Sequence, residues 1–286
     1  MREEISSAVH LIWDLTRERI TVGGALVLRQ EGEILAMAQG REVLAVYLLC
    51  NDADRKTAEW LGEAIFGSSI YRFQFINSIQ IPDGWPSVLD RMKSDFSYFS
   101  FSRVINLYAE NGLRPRLRWN KQRERLAQQV RNAFHGKLIS VHLRSVAPFL
   151  QEGSNANGYA WNEFFAEHAE PGICDFLLVG DDPLPAGLEL RPGVSLAKQS
   201  KIDLPTQLAL IGISDGFLGM ASGLCTAANF SGTPYVIFKH PDHHATEMAN
   251  ELGASNAYSF AGDCQQLWRR EANVTSLIEA FQLITS

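Results

Sequence analysis

Two stretches of sequence decide the fold of this chain: LISVHLR at positions 138–144 and DGFLGMASGLCTAANFSGTPYVIF at positions 215–238. Each contains a short apolar run that predicts a strand, and each strand ends on small or polar residues suited to holding an anion. In open α/β sheets, ligands bind in the crevice outside the carboxyl ends of the strands. These two strand ends are therefore where we expect the phosphates of a nucleotide to bind.

Apolar segments that predict strands alternate along the chain with segments that predict helices. In the first half, strands are predicted over 19–22, 43–50 and 70–76, and helices over 25–39, 51–66 and 102–110. In the second half, strands are predicted over 138–143, 175–179, 215–218 and 235–238, and helices over 120–134, 161–169, 205–211, 223–230, 244–252 and 274–284. Residues 81–100 have no clear period and are predicted to form a variable connection. The alternation implies right-handed βαβ crossovers and parallel sheets.

The composition is that of a soluble globular protein, with 46% apolar and 20% charged residues among 286. The length favours two domains, which we place at 1–125 and 126–286. A net charge of -6 argues against a nucleic-acid partner, because such partners usually select a strongly basic domain. No signal peptide and no transmembrane segment are predicted. We therefore expect a cytoplasmic protein.

Three groups of residues invite a functional interpretation that the sequence does not favour. The four cysteines form no CxxC pair and are expected to be free thiols. The cluster at 240–244 contains three histidines, but a loop followed by a helix start is a better interpretation than a metal site. The basic run at 114–131 is interrupted by a glutamate and is interpreted as a solvated face. No metal site is predicted.

His142 and Arg144 lie two residues apart at a strand end, so a strand would place both side chains on one face. Arginine presents a planar fork of donors that matches phosphate oxygens. A pyrophosphate whose charge grows as a glycosidic bond breaks could be stabilised there. A surface ion pair for Arg144 and a buried structural role for His142 are the alternative.

Ser222, Gly223 and Leu224 follow the predicted strand at 215–218 and open the predicted helix at 223–230. Small residues let a ligand approach the backbone, and the first amides of a helix have no partner within the helix. The Ser222 hydroxyl adds a further donor. This segment predicts a phosphate site, and a tight packing turn is the alternative.

Two weaker candidates complete the predicted site. Asp181 and Asp182 follow the strand at 175–179 and could bind ribose hydroxyls, a base edge or a sugar, although a solvated loop is equally compatible. Gly23 and Gly24 are predicted to form a turn between a strand and a helix, on the acceptor side of the site.

The motif at 141–144 resembles the His-x-Arg strand end of the fucosyltransferases that use GDP-fucose, and the run at 208–238 is similar to the donor segment of the heptosyltransferases. Both groups are GT-B glycosyltransferases, in which two Rossmann-like domains face each other across a cleft. The resemblance implies an α/β fold of two such domains with parallel sheets. It also implies that the diphosphate contacts Arg144, Ser222, Gly223 and Leu224, and that Asp181 or Asp182 approaches the nucleoside.

We therefore predict a glycosyltransferase, hexosyltransferase or fucosyltransferase-like, that moves a sugar from a nucleoside-diphosphate sugar to a carbohydrate or glycoconjugate acceptor. A GDP-sugar is the favoured donor, and neither a metal nor another cofactor is expected. Arg144 would stabilise the leaving group, and Glu31, Asp52 and Asp54 are the candidates for the general base, among which the sequence does not select. A nucleotide-sugar epimerase or hydrolase, or a GT-B-like protein that binds a nucleotide or partner without turnover, stays open.

Overall fold

The chain divides into two compact units, Met1–Asn120 and Lys121–Ser286, in a computed structural model that describes residues 8–16, 19–76, 101–146 and 154–286. A junction at 125/126 would cut the helix Lys121–Arg131. The structure keeps this whole helix in the second unit, so the division comes just before its first residue.

The first unit contains a parallel sheet with the strand order β1-β2-β3. Pairing of Val9 with Leu44 and of Val43 with Arg72 sets the register. In chain order the elements are β1 (Val9–Asp14), α1 (Val22–Gln39), β2 (Val43–Leu49), α2 (Asp52–Ile65), β3 (Arg72–Ile76) and α3 (Ser102–Asn111). The predicted strand at 43–50 and the three predicted helices are confirmed with small shifts at their ends, whereas the predicted segment at 81–100 lies outside the described residues.

The predicted strand at 19–22 is wrong, and so is the glycine turn after it. Helix α1 already begins at Val22, because Thr21 is in an extended conformation and its Oγ1 accepts a hydrogen bond from the amide of Gly24 at 3.0 Å. Gly23 and Gly24 therefore belong to the first turn of α1. The strand that precedes this helix is β1, which the sequence analysis did not identify.

Helix α1 is buried along most of its length although it carries several charged residues. Arg29 is wholly buried and donates from Nε to Glu33 Oε1 at 2.7 Å and from Nη1 to the carbonyl of Ile65 at 2.8 Å. Glu33 also accepts from the Ser69 hydroxyl at 2.5 Å and from the Arg118 amide at 3.1 Å. The buried charges are thus hydrogen-bonded, as burial in a low dielectric requires.

The second unit contains a six-stranded sheet in which all neighbouring strands are parallel, in the order β6-β5-β4-β7-β8-β9. In chain order its elements are α4 (Lys121–Arg131), β4 (Lys137–His142), α5 (Gly158–His168), β5 (Cys174–Leu178), β6 (Val194–Leu196), α6 (Leu204–Ile211), β7 (Gly216–Met220), α7 (Cys225–Asn229), β8 (Tyr235–Phe238), α8 (Ala245–Leu252), β9 (Gln265–Trp268) and α9 (Val274–Thr285). This is the strand order of the dinucleotide-binding Rossmann fold.

One hydrophobic core of this unit lies on one face of the sheet. Alternate residues of β4, β7 and β8 enter it, including Val141, Leu218 and Val236, together with the aromatic side chains of α5 and the apolar side of α9. Helix α6 packs against α4 and α7. The order in which strands are added to the sheet reverses between β4 and β7, which lie side by side at its centre.

Most predicted elements of the second unit are confirmed, and three details differ. Strands β6 and β9 were not predicted. The helix predicted over 223–230 forms only over Cys225–Asn229. Gly223 and Leu224 therefore lie in a turn before the helix, and a helix of this length has a weak dipole. In the described ranges, no helix has both the length and the apolar composition needed to span a bilayer.

Candidate functional site

The candidate site lies at the carboxyl ends of β4 and β7, where the strand order reverses. His142 ends β4 and pairs in register with Gly219 of β7. A Cβ atom on Gly219 would lie 2.8 Å from the carbonyl oxygen of His142, so glycine permits this close approach of the two strands. Such a reversal point leaves a crevice at the strand ends in which α/β proteins bind ligands.

Arg144 extends from β4 over the end of β7. Its Nη1 donates to the carbonyl oxygen of Ala221 at 3.3 Å. Leu143 enters the hydrophobic core on one face of the sheet, and Arg144, the next residue, lies on the opposite face with His142. The guanidinium is thus held at the reversal point and remains half-buried.

The turn after β7 presents backbone amides beside that guanidinium. Cys225 anchors the turn, since its buried thiol donates to the Met220 carbonyl at 2.9 Å, and burial raises the pKa of this thiol to about 11. Ser222 Oγ lies 3.5 Å from Cys225 Sγ. Within the described part of the chain, the amides of Gly223 and Leu224 donate no backbone hydrogen bond. The turn therefore offers donors to an anion without help from a long helix.

His142 is buried, and its Nδ1 lies 3.0 Å from the carbonyl oxygen of Val179. Because that oxygen can only accept, Nδ1 carries the proton. Burial lowers the pKa of His142, so the ring is neutral at pH 7 and its Nε2 is an acceptor that cannot bind a phosphate oxygen. The predicted direct contact with the donor is corrected accordingly, because the geometry makes His142 a positioning residue for the loop after β5.

Gly180 begins the loop after β5 with φ of 98°. A Cβ atom there would lie 3.0 Å from Nδ1 of His142, and the Gly180 amide donates to Oε1 of Gln207 at 2.7 Å. A side chain at this position would therefore meet both a strained backbone and the imidazole. His142 and Gln207 together fix where the loop leaves the sheet.

The two predicted aspartates in this loop differ in environment. Asp182 Oδ2 accepts from the Ser145 amide at 3.1 Å, and its carbonyl accepts from Nζ of Lys198 at 2.9 Å, so Asp182 ties the β5 loop to the segment after β4. Asp181 is exposed and makes no hydrogen bond with another described residue. Of the two carboxylates, Asp181 is the one available to a ligand.

Lys239 is a further residue at the same edge, which the sequence analysis did not name. It directly follows β8 and is 9% exposed. Phe238 enters the hydrophobic core, so Lys239 lies on the opposite face of the sheet, the face that carries Arg144. The sequence feature that could have identified Lys239 is its position directly after an apolar strand.

Residues 240–244 form a turn that leads into α8, which confirms the interpretation as a loop and helix start. His243 Nδ1 lies 3.4 Å from the Ser154 hydroxyl. Burial, with a contribution from Lys239, lowers the pKa of His243 to about 4 and also lowers that of His244. Both imidazoles are thus neutral at pH 7. Among the described residues, no group of three or more histidine, cysteine, aspartate or glutamate side chains could hold a metal ion.

The residues predicted in the first unit lie elsewhere in its fold than expected. Glu31 is wholly buried on α1, and its Oε1 accepts from Nε of Arg103 at 2.9 Å and from Nη2 at 2.8 Å. A buried, ion-paired carboxylate cannot reach the hydroxyl of an acceptor, so Glu31 is corrected to a structural residue. Gly23 and Gly24, inside α1, form no loop of their own.

Other carboxylates lie at the carboxyl edge of the first sheet. Asp14 ends β1, is half-buried, and accepts at Oδ1 from the Thr16 amide at 3.1 Å and the Thr16 hydroxyl at 2.5 Å. Asp52 and Asp54 lie in the first turn of α2, where negative charge is stabilised by the helix dipole. Asp14 was missed because β1 itself was not predicted.

Comparison with known proteins gives similarity at the level of structure alone. No family model and no curated protein matches the sequence. A glycosyl transferase family 9 protein from Veillonella parvula is 11% identical with a TM-score of 0.55, over 98% of this chain and 97% of that one. The heptosyltransferase WaaC from E. coli, solved with ADP, is 10% identical with a TM-score of 0.53, over 97% and 99%. The chain therefore has the α/β fold, with parallel sheets, of these GT-B glycosyltransferases, and at this identity the likeness shows the fold alone.

Proposed function

We propose that this protein is a glycosyltransferase that moves a sugar from a nucleoside diphosphate to the hydroxyl of a carbohydrate or glycoconjugate acceptor. The observation that carries the proposal is the placement of Arg144 beside the turn at 221–224, at the reversal point of a Rossmann-ordered sheet. A guanidinium, and amides that donate no backbone hydrogen bond to another described residue, are suited to a diphosphate.

In the proposed reaction, the bond between the anomeric carbon and the diphosphate oxygen breaks, and its electron pair stays on that oxygen. The acceptor oxygen forms the new bond to the anomeric carbon and gives its proton to a carboxylate. Negative charge therefore grows on the diphosphate, where Arg144 and the amides of Gly223 and Leu224 would stabilise it. Asp181, the available carboxylate of the β5 loop, would accept hydrogen bonds from ribose hydroxyls.

With Glu31 buried, Asp14 becomes the first candidate for the general base, beside Asp52 and Asp54. Asp14 ends a strand of the first sheet and is half-buried, and Thr16 holds its carboxylate in place. A half-buried carboxylate that already accepts hydrogen bonds can take a proton from a hydroxyl in the transition state.

The identity of the nucleotide is a separate part of the proposal. A GDP-sugar is the prediction of the sequence motif, whereas the WaaC structure of similar fold was solved with ADP. Guanine and adenine nucleotides are therefore tested side by side.

Metal independence is also proposed, because the guanidinium of Arg144 and the amides of Gly223 and Leu224 can neutralise the leaving diphosphate. A cytoplasmic location and a relationship to the fucosyltransferases remain proposals of the same kind.

The test is thermal unfolding with ADP, GDP, UDP, TDP and CMP, followed by turnover of the matching nucleotide sugars with and without acceptors. A nucleotide at ~100 times its Kd should stabilise the native state by about 2.7 kcal/mol. Donor consumption that requires an acceptor, and that persists in EDTA, supports the proposal. Consumption without an acceptor would indicate a hydrolase or epimerase, and binding without consumption would indicate a protein that lacks turnover.

A further inference from the structure

We propose that Lys239 is a second cation of the donor site and contacts the β-phosphate of the nucleoside diphosphate, opposite Arg144. This inference rests on the proposed function. It names a residue of the leaving-group site that no motif in the sequence indicated.

The first argument is position. The Ala221 amide donates to the Phe238 carbonyl at 2.8 Å, and the Lys239 amide donates to the Trp268 carbonyl at 2.9 Å, so the ladder of backbone hydrogen bonds continues past the end of β8. Arg144 and Lys239 therefore follow the two strands on either side of β7. Two strand spacings separate their backbones by about 10 Å. Both long side chains lie on the face of the sheet opposite the core, with the end of β7 between them.

The second argument is the lack of a partner for Lys239. Its side chain is 9% exposed, yet within the described residues it makes no hydrogen bond and no ion pair. Burial lowers the pKa of Lys239, and Glu251 and Glu247 of α8 oppose this effect from a distance. These carboxylates act on Lys239 without contacting it, so among the described residues its desolvated ammonium has no directly bonded counterion, which is a costly arrangement. A bound anion would supply the missing partner.

The third argument is the sign of the local charge. His243 and His244 are near Lys239 and Arg144 and are neutral at pH 7, for the reasons given above. Arg144 and Lys239 thus carry positive charge at the carboxyl edge of the sheet, where the turn at 221–224 also lies. A diphosphate offers one phosphate group to each of these two separated cations, whereas a monophosphate offers a single group, so the site should distinguish the two ligands.

The test compares the affinities of the nucleoside diphosphate and of its monophosphate by titration calorimetry. Lys239→Met should weaken diphosphate binding by about tenfold to a hundredfold, as expected for one charge-assisted hydrogen bond, and should change monophosphate binding by less than about threefold. Lys239→Arg should keep the preference for the diphosphate. The matched control is Lys137→Met, since Lys137 lies exposed at the amino end of β4, and it should leave both affinities unchanged.

If Lys239→Met lost the same affinity for the diphosphate and for the monophosphate, or lost affinity for neither, the inference would be overturned and the proposed function would stay intact. A wild-type protein that binds no nucleoside diphosphate would instead remove the proposed function and the inference with it. Since the desolvated ammonium makes no hydrogen bond or ion pair with a described residue, Lys239→Met and Lys239→Gln without ligand should unfold close to the wild-type temperature or above it. A marked loss of stability in both variants would assign the charge to the fold, as a partner of Glu251, and would also overturn the inference.

Discussion

Arg144 and Ala221 are joined by a hydrogen bond from Nη1 to the carbonyl oxygen, 3.3 Å long, across the boundary at which the strand order reverses. The bond orients the guanidinium from the strand side. Because β4 and β7 are the two central strands, the residues after them are held by the most constrained part of the sheet. Arg144 is thus held in place, as the proposed contact with a diphosphate requires.

Replacing Arg144 tests that role directly. Arg144→Ala should weaken nucleoside diphosphate binding by about thirtyfold or more, because a charge-assisted contact contributes roughly 2–3 kcal/mol. Arg144→Lys should keep part of the affinity, since lysine supplies the charge without the planar fork. Arg125→Ala, at an exposed position of α4, is the control for loss of one positive charge. Unchanged affinity in Arg144→Ala would exclude the role.

Gly180 and Gly172 allow a matched test of the loop after β5. Both have positive φ, 98° and 78°, but a Cβ atom on Gly180 would lie 3.0 Å from His142 Nδ1, whereas one on Gly172 would contact nothing within 4 Å. Gly172→Ala should cost about 1–2 kcal/mol of unfolding free energy through backbone strain alone. Gly180→Ala should cost roughly 1–2 kcal/mol more and should also weaken nucleotide binding.

Denaturant unfolding of the two glycine variants gives the comparison. Equal losses of stability would show that the imidazole moves aside at little cost. In that case, His142 would not be a rigid support for the loop.

Asp14→Asn tests the general base. The amide keeps an oxygen that can accept from Thr16, so the turn after β1 should survive. Transfer should fall by about 10²–10⁴ in kcat while nucleotide affinity stays the same, because a missing base affects the chemical step alone. Asp52→Asn and Asp54→Asn are the controls, and a loss of turnover in one of them rather than in Asp14→Asn would move the role to α2.

The fold could be predicted from the sequence where strands are continuous apolar runs. The segments at 43–49 and 235–238 are buried on both faces, so their composition alone identifies them. Strand β6 has three residues, and β9 begins with two glutamines, so neither differs from a loop in local composition. In β1, His10 interrupts the apolar run, and its partner Tyr47 is distant in sequence.

The candidate site could be predicted where its residues directly follow a strand. Arg144, Asp181 and Ser222 were found in this way, and the structure places all three after the carboxyl ends of β4, β5 and β7. The burial of Glu31 could not be predicted, because its partner Arg103 is on another helix and a glutamate within a helix is usually exposed. Lys239 satisfied the same criterion as Arg144 and was overlooked because it belongs to no motif.

Arg29 and Glu33 form an ion pair four residues apart that is almost wholly buried, at 0% and 2% exposure. Arg55 and Glu59 have the same spacing on α2, but they are 42% and 46% exposed. Glu33→Gln should destabilise the protein by about 3 kcal/mol, since it leaves a buried guanidinium without a counterion. Glu59→Gln should cost less than about 0.5 kcal/mol.

Chemical denaturation of Glu33→Gln and Glu59→Gln measures the difference in unfolding free energy. The single variant Arg29→Met and the double variant Arg29→Met/Glu33→Gln complete a double-mutant cycle. The double variant should be less destabilised than the sum of the single variants, because no charge stays buried alone. Additive losses would contradict the assignment of the cost to an uncompensated charge.

His243 should make the stability of the protein sensitive to acid. Its pKa is about 4 in the folded protein and about 6.5 when unfolded, so between these values the unfolded chain binds more protons than the folded chain. Stability is therefore fully present above about pH 6.5 and falls as the pH decreases towards 4. Protonation would place a positive charge beside Lys239, Arg144, His240 and His244.

In His243→Gln, Tm should fall less between pH 7.5 and 4.5 than in the wild type. His135→Gln, at an exposed position, should follow the wild type. Parallel curves for all three proteins would show that other groups cause the acid sensitivity.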